Sequence, residues 1–460
     1  LMKINPVIDF SRNNQDVFLS QLKDFIKIPS ISSNPSNNED IQNCAKFVYD
    51  DLKRIGFTHV EIIETKKHPI VYGELFFSKI LPTVLIYGHY DVQPINPIEL
   101  WHSPPFEATI RDGRLYGRGT VDDKGQVHLH LKAIESWMKV HNKLPVNIKF
   151  IIEGEEEIGS ENLEPFIKNN EMKLDADLII ISDTSMIKKG FPSITYGLRG
   201  ISYFQIDLKG TCQDLHSGMY GGAVKNPINA LVEILSKLRN SNGKILIPNF
   251  YDNVRKVLPS ERKRFSKLPF DELEFQNNIE APKLFNEKKY SILESLWCRP
   301  SLDINGIWGG FTEIGSKTVI PSEAHAKVSI RLVPDQNPKE IETLFEEYVK
   351  KISPEEVNIQ IKRMHGGNPF ISDITHPAFK AASKALEKGF GKKAVFIREG
   401  GSIPIVNDMC EVLKINCLLI GFGLPGENAH APNEWLDLEN YRLGIESVIH
   451  LYKGLSEVKF

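Results

Sequence analysis

The chain has 460 residues, 56 Lys and Arg against 59 Asp and Glu for a net charge of −3, with 41% apolar and 25% charged residues. These fractions lie near the globular average and exclude a disordered or fibrous chain. A charge balance so near neutral argues against a general binder of nucleic acid or anionic membrane, and at about 100–200 residues per domain the length predicts several domains or one large domain with an insertion.

In chain order, the spacing predicts a helix over 38–55, a strand over 83–87 (TVLIY), a helix over 124–140, a strand over 147–152 (NIKFII), a helix over 161–169 and a strand over 177–181 (DLIII). After a middle region, a helix over 377–389, a strand over 417–423 (CLLIGFG) and a helix over 438–455 resume the pattern. Short runs that are apolar throughout suit strands covered on both faces. Alternation with helices predicts an α/β fold, a mostly parallel sheet sandwiched by helices.

The middle region differs. Residues 200–209 (GISYFQIDLK) alternate as a strand with one open face, and 227–239 form an amphipathic helix. Strands at 301–308 and 324–333, a helix at 338–351 and a strand at 357–363 complete a βαββαβ order, the split unit of ferredoxin-like domains. The expectation is an α+β domain at 192–366 inserted into a domain made from 1–191 and 367–460. The charged stretch 241–300, broken by Pro and Asn, reads as an insertion within that middle domain.

No apolar run approaches the roughly 18 residues of a membrane helix, and the opening LMKINPVIDFSRNNQ lacks the apolar core of a secretory leader. The five cysteines, Cys44, Cys212, Cys298, Cys410 and Cys417, contain no CxxC pair, which fits a reducing compartment. A cytoplasmic protein is expected.

In open α/β sheets, ligands bind beyond the carboxyl ends of the strands, and all four such ends carry metal-ligand residue types. TVLIY leads into Gly88-His89-Tyr90-Asp91, NIKFII into Glu153–Glu157, DLIII into Ser182-Asp183, and CLLIGFG, after a loop, into Asn428-Ala429-His430. Asp122 and Asp123 precede the helix at 124. Each has a plain structural reading: a hydrogen-bonded histidine, an acidic helix N-terminus, an N-cap at Asp122 or a turn at Asp183. Independent caps, however, have no reason to gather two histidines and several carboxylates at one sheet edge.

Imidazole and carboxylate together suit Zn²⁺, with Mn²⁺ or Co²⁺ as alternatives. Asp122, Glu157 and Asp183, with one hydroxide, balance the charge of two divalent ions, so two metals are expected. A metal pair polarises a carbonyl and lowers the pKa of a shared water toward about 7. Glu156, left beside the metals, has the place of a general base.

The motifs GHYDVQP (88–94), WHSPPFE (101–107), GRGTVDDKG (117–125), EGEEEIGSE (153–161), SDTS (182–185), DLHSGMYGG (214–222), KTVIPSEAHAKVSIRLVP (317–334), MHGGNPF (364–370), REGGSIP (398–404) and NAHAPNE (428–434) span nearly the whole chain. They resemble the di-zinc metallopeptidases that include carboxypeptidase G, aminoacylase, acetylornithine deacetylase, succinyl-diaminopimelate desuccinylase and the carnosinase-type dipeptidases. DLHSG and HGGNPF point to the dipeptidase branch.

The resemblance implies that His89 and Asp183 hold one metal, Glu157 and His430 the other, and that Asp122 bridges them. It implies Asp91 orienting His89, Glu156 as general base and a cis peptide at Asp122–Asp123. His216 of the middle domain would reach the partner subunit's site and stabilise the oxyanion, making the middle domain both lid and homodimer surface. Thr318, Arg331, His365, Gly401 and Ser402 match positions at the substrate, where Arg suits a free carboxylate. The implied activity is amide hydrolysis of dipeptides. The alternatives are an N-acyl-amino-acid deacylase on the same metals and a non-catalytic dimeric binding protein.

Overall fold

Strands apolar on both faces need cover on both faces. In the computed structural model, which describes residues 2–460, they occupy the middle of a nine-stranded sheet. Asn147–Glu153, Thr83–His89, Leu178–Ile181 and Cys417–Leu419 lie side by side and parallel. The edges are antiparallel. Ile70–Leu75 and then His59–Ile63 extend one side. Ser193–Leu198 extends the other, carrying Phe370–Ile371 antiparallel and Val395–Glu399 parallel. The sheet is therefore mixed around a parallel centre.

Alternate residues of one strand serve two cores, because strand side chains alternate between faces. Val84 and Ile86 pack into the larger core with residues of Asn38–Ile55, Lys124–His141, Pro377–Phe390 and Leu438–Leu455. Leu85 and Tyr87 pack into the core formed with Leu163–Asn169 and Pro404–Leu413. Helices 38–55 and 438–455 begin and end where the periodicity places them. Asn38–Ile55 stops at Gly56, whose φ of +109° is a left-handed cap that glycine adopts without strain.

The second sheet has four antiparallel strands in the order Ser301–Gly309, Glu323–Leu332, Gly200–Lys209, Asn358–Gly367. With helices Pro227–Ser236 and Pro338–Ile352 it follows the βαββαβ order. In Gly200–Lys209 the alternation puts Phe204, Ile206 and Leu208 into a core with Leu231, Ile234 and Phe345 of the two helices. Edge strand Ser301–Gly309 leaves Ile304, Ile307 and Trp308 exposed.

Three segments depart from the sequence expectation. Ser193–Leu198 belongs to the large sheet; we therefore propose that the chain crosses to the smaller domain at Arg199–Gly200 rather than at 192. The stretch 241–300 is divided between both domains. Ile245, Ile247 and Phe250 stay with the smaller core, whereas Phe265, Leu268, Leu293 and Trp297 join the larger one. Long-range contacts decide this: Glu261, on helix Pro259–Phe265, pairs with buried Arg398 and accepts from the Tyr196 hydroxyl at 2.8 Å. Finally, the strand expected over 417–423 ends at Leu419. Beyond it Gly421 lies so close to the loop after Leu178–Ile181 that a Cβ would sit 1.8 Å from the Thr184 carbonyl oxygen.

All five cysteines are free. Among the described residues, no helix is long and apolar enough to cross a membrane.

Candidate metal centre

Each parallel strand of the large sheet delivers its polar residues to the same edge. Thr83–His89 ends on His89, which is 0% exposed. Glu156 and Glu157 start the short turn of helix Glu156–Ile158 after strand Asn147–Glu153, and Asp183 follows Leu178–Ile181. Asp122 precedes helix Lys124–His141 across a cis Asp122–Asp123 peptide, as expected. It does not cap that helix: Asp123 holds the N-cap position, and its side chain accepts no cap hydrogen bond. The helix start fits only because residue 125 is glycine, since a Cβ there would lie 1.9 Å from the Thr120 carbonyl oxygen.

The five residues meet as two groups sharing Asp122: His89–Asp122–Asp183 and Asp122–Glu157–His430. His89 Nε2 is 3.1 Å from Asp122 Oδ1 and 3.9 Å from Asp183 Oδ2. His430 Nε2 is 2.9 Å from Asp122 Oδ2 and 3.2 Å from Glu157 Oε2. Within each group the ligand atoms all lie within 4.8 Å of one another. Ligands around a tetrahedral ion with bonds of about 2.0–2.2 Å sit about 3.4 Å apart, so only small adjustments are needed. His89 Nε2 is buried without a well-directed hydrogen bond, the condition of a ligand atom aimed at a cation. The donor set fits two divalent ions.

The carboxylates beside this centre do separate tasks. Asp91 accepts the backbone N–H of Glu156 at 3.2 Å and of Glu157 at 3.1 Å, so it fixes the turn that presents both. Its backbone carbonyl oxygen is 3.0 Å from His89 Nδ1, closer than its carboxylate at 3.4 Å. The orientation of His89 therefore comes first from the main chain. Glu155 turns away, accepting from the Thr65 hydroxyl at 2.8 Å and His68 N–H at 2.9 Å. Glu156 points inward, its Oε2 3.9 Å from His89 Nε2. Burial, reinforced by Glu157, Asp122 and Asp91 and opposed by His89, raises Glu156 to about 8. Hydrogen bonds that the protonated His430 ring donates to Asp122 and Glu157 raise it to about 10.

The centre opens into a cavity of about 460 Å³ whose wall includes Asp122, Glu156, Asp183, Gly401, Ser402 and His430. Arg331, on lid strand Glu323–Leu332, reaches the Ser402 hydroxyl with its Nη1 at 2.9 Å, so the lid touches the rim here. His216, Thr318 and His365 do not line this cavity. His216 and Thr318 are neighbours on the lid: Ser217 N–H donates to the Thr318 carbonyl at 3.0 Å, and His216 Nδ1 accepts from Gly218 N–H at 3.0 Å. His365 is exposed and stacks on Tyr203 at 5.0 Å between ring centres.

Sequence reasoning missed Glu434. Buried, it accepts from Val121 N–H at 2.9 Å and Asp122 N–H at 3.1 Å with one oxygen, and from Gly119 N–H and Arg118 with the other. It thus shapes the loop that carries Asp122. It also missed Glu399, which lines the cavity. Both lie within motifs quoted above, NAHAPNE and REGGSIP, and that was the available signal.

Comparison with known proteins agrees with this geometry. Residues 85–453 match the model of peptidase family M20/M25/M40. The chain is 35% identical to the Cys-Gly metallodipeptidase DUG1 of Candida albicans, over 98% of each sequence. It is 34% identical to the human Beta-Ala-His dipeptidase, over 96% of this chain and 90% of that one. Its fold superposes on the crystal structure of human carnosine dipeptidase 1 with a TM-score of 0.86 at 33% identity, covering both chains completely. A metallo-carboxypeptidase of this family, Sso-CP2 from Sulfolobus solfataricus, gives the same TM-score at 34% identity, over 95% of this chain and 99% of that one. Metallopeptidases of this kind use divalent ions, and the cavity edge offers the donors for them. On the family match and the full-length likeness together, the chain belongs to peptidase family M20/M25/M40 and is a metallohydrolase.

Proposed function

We propose that this protein hydrolyses the amide bond of dipeptides, using two divalent metal ions, with Glu156 as general base. The observation that carries the reading is the sharing of Asp122 by two ligand groups, with one oxygen 3.1 Å from His89 and the other 2.9 Å from His430. His89 and Asp183 would hold one ion, Glu157 and His430 the second, and Asp122 both. The relatives named as dipeptidases over nearly their whole length support the substrate class. Zn²⁺ suits mixed imidazole and carboxylate donors, and Mn²⁺ or Co²⁺ could replace it.

When bound, the ions would polarise the scissile carbonyl and acidify the attacking water. Glu156 would take the proton from that water and return it to the leaving amine, two steps served by one carboxyl beside the ions and not on them. Arg331 and Ser402, already hydrogen-bonded to each other, would take the substrate carboxylate, the guanidinium supplying a two-pronged donor. Asp91, by holding the N–H groups of residues 156 and 157, would keep base and ligand in register.

His216 would stabilise the oxyanion in the site of a second subunit, with Thr318 beside it and His365 and Gly401 at the substrate. Its exposure and its absence from the wall of its own cavity favour this arrangement. Ile304, Ile307 and Trp308, exposed on an edge strand, give the homodimer an apolar surface. The free cysteines favour a reducing, cytoplasmic location.

Glu156→Gln tests the core of this reading. Hydrolysis of dipeptides should fall by about 10³-fold or more, with two metal ions still bound per chain. Retained turnover would remove Glu156 from the role. A protein that cleaves N-acyl amino acids and leaves dipeptides intact would replace the dipeptidase by a deacylase. One that binds no metal after supplementation would leave a binding protein.

A further inference from the structure

Strand Val395–Glu399 ends on a carboxylate that the metal centre does not use. Glu399 lines the same cavity as Asp122, Glu156, Asp183 and His430. Its Oε1 accepts from Ser185 N–H at 3.1 Å and from the Thr195 hydroxyl at 3.3 Å. Ser185 stands two residues after Asp183, so Glu399 is tied to the loop that carries a proposed ligand. Its Oε2 accepts from no group among the described residues, and no Lys, Arg or His among them pairs with it. The nearby cations are engaged elsewhere: Arg398 on Glu261 and Arg199 on the Gly400 carbonyl at 3.0 Å. Burial raises Glu399 to about 7.

A half-buried carboxylate on the cavity wall, held only by neutral donors, gains most from a cation that enters the cavity and displaces its water. We propose that Glu399 binds the free α-ammonium of the substrate's N-terminal residue and so selects dipeptides over N-acyl amino acids. This rests on the dipeptidase reading above. In a dipeptide the α-nitrogen is two bonds from the scissile carbonyl carbon, about 2.5 Å away. With the carbonyl at the metal centre, the ammonium would lie within the same cavity, whose wall includes Glu399. An N-acyl substrate puts a neutral group there and leaves the carboxylate unpaired, a mismatch of the kind that discriminates strongly.

Alanylglycine and propionylglycine differ only in this ammonium and are the probes. The metal-loaded wild type should cleave alanylglycine with kcat/KM about 100-fold or more above propionylglycine. Glu399→Gln should lower kcat/KM for alanylglycine by about 100-fold and leave propionylglycine within about twofold, so that the preference collapses. Metal content and Tm should match the wild type. Calorimetry should show the same pattern without turnover: a phosphinic isostere of alanylglycine should bind the variant more weakly, and its des-amino analogue equally to both proteins. Glu399→Ala, which empties the position, serves the same comparison should the Gln variant fold poorly. A variant that keeps the wild-type preference for the ammonium overturns the assignment and leaves the dipeptidase reading standing. A wild type that prefers propionylglycine overturns both.

Discussion

At the edge of the large sheet, His89 and Asp91 are inaccessible, Asp91 holds two backbone N–H groups, and Asp122, Glu157 and Asp183 fall into two ligand groups. On the lid, His216, Thr318 and His365 are exposed, and the His216 ring rests against Gly218 N–H of its own turn. The two regions differ in who completes them. Candidate metal ligands gathered from five distant segments need to be held rigidly, because a cation centre tolerates little error in donor position. Groups proposed to meet the substrate later can wait in solvent until lid movement or a second subunit brings them in. Arg331 stands between these cases: it belongs to the lid, yet already contacts Ser402 on the cavity rim.

Four experiments sharpen or break this contrast. Asp122→Asn should have the largest effect. It weakens both ligand groups at once, so activity should fall on the order of 10⁴-fold or more and metal analysis should find fewer than two ions per chain. Two ions retained at full affinity would deny Asp122 its bridging place. His216→Ala should reduce kcat by about 10²–10³-fold, the usual loss for one oxyanion donor, with metal content unchanged. Mixing it with Glu156→Gln subunits should restore activity if the histidine serves the neighbouring site; an inactive mixture would assign His216 to its own chain.

Arg331→Ala should mainly raise KM, by about 10–100-fold, for the loss of a charged hydrogen bond of about 1.5–3 kcal/mol. A dipeptide amide, which lacks the carboxylate, should be much less affected, and an equal loss on both substrates would count against the role. The smallest effect lies away from the cavity. Burial raises the Glu135 carboxyl, but Arg54 and Lys132 outweigh it and hold the group at about 2. A carboxyl depressed on folding stabilises above its unfolded pKa and loses that contribution as pH falls through the folded value. Melting curves of wild type and Glu135→Gln should therefore differ most near pH 6 and converge toward pH 2. A gap independent of pH would mean that packing, not charge, sets the contribution.

Local pattern determined much of this molecule. Alternation placed Gly200–Lys209, three-and-four spacing placed Asn38–Ile55 and Leu438–Leu455, and both are read within a few residues because strand and helix periods are short-range properties. The apolar runs also announced a sheet whose carboxyl ends would carry His89, Asp183 and His430, and the motif resemblance supplied the expected ligand set and the cis peptide. The resemblance had already set Glu155 apart from Glu156 and Glu157, but only tertiary structure shows what holds it away from the metal centre: buried Glu155 is claimed by Thr65 and His68, some 90 positions earlier in the chain. Tertiary structure alone returned Phe265, Leu268, Leu293 and Trp297 to the large core, and set Glu434 beneath the Asp122 loop and Glu399 on the cavity wall. These outcomes depend on hydrogen bonds and apolar contacts between residues far apart in the chain, and no periodicity encodes them.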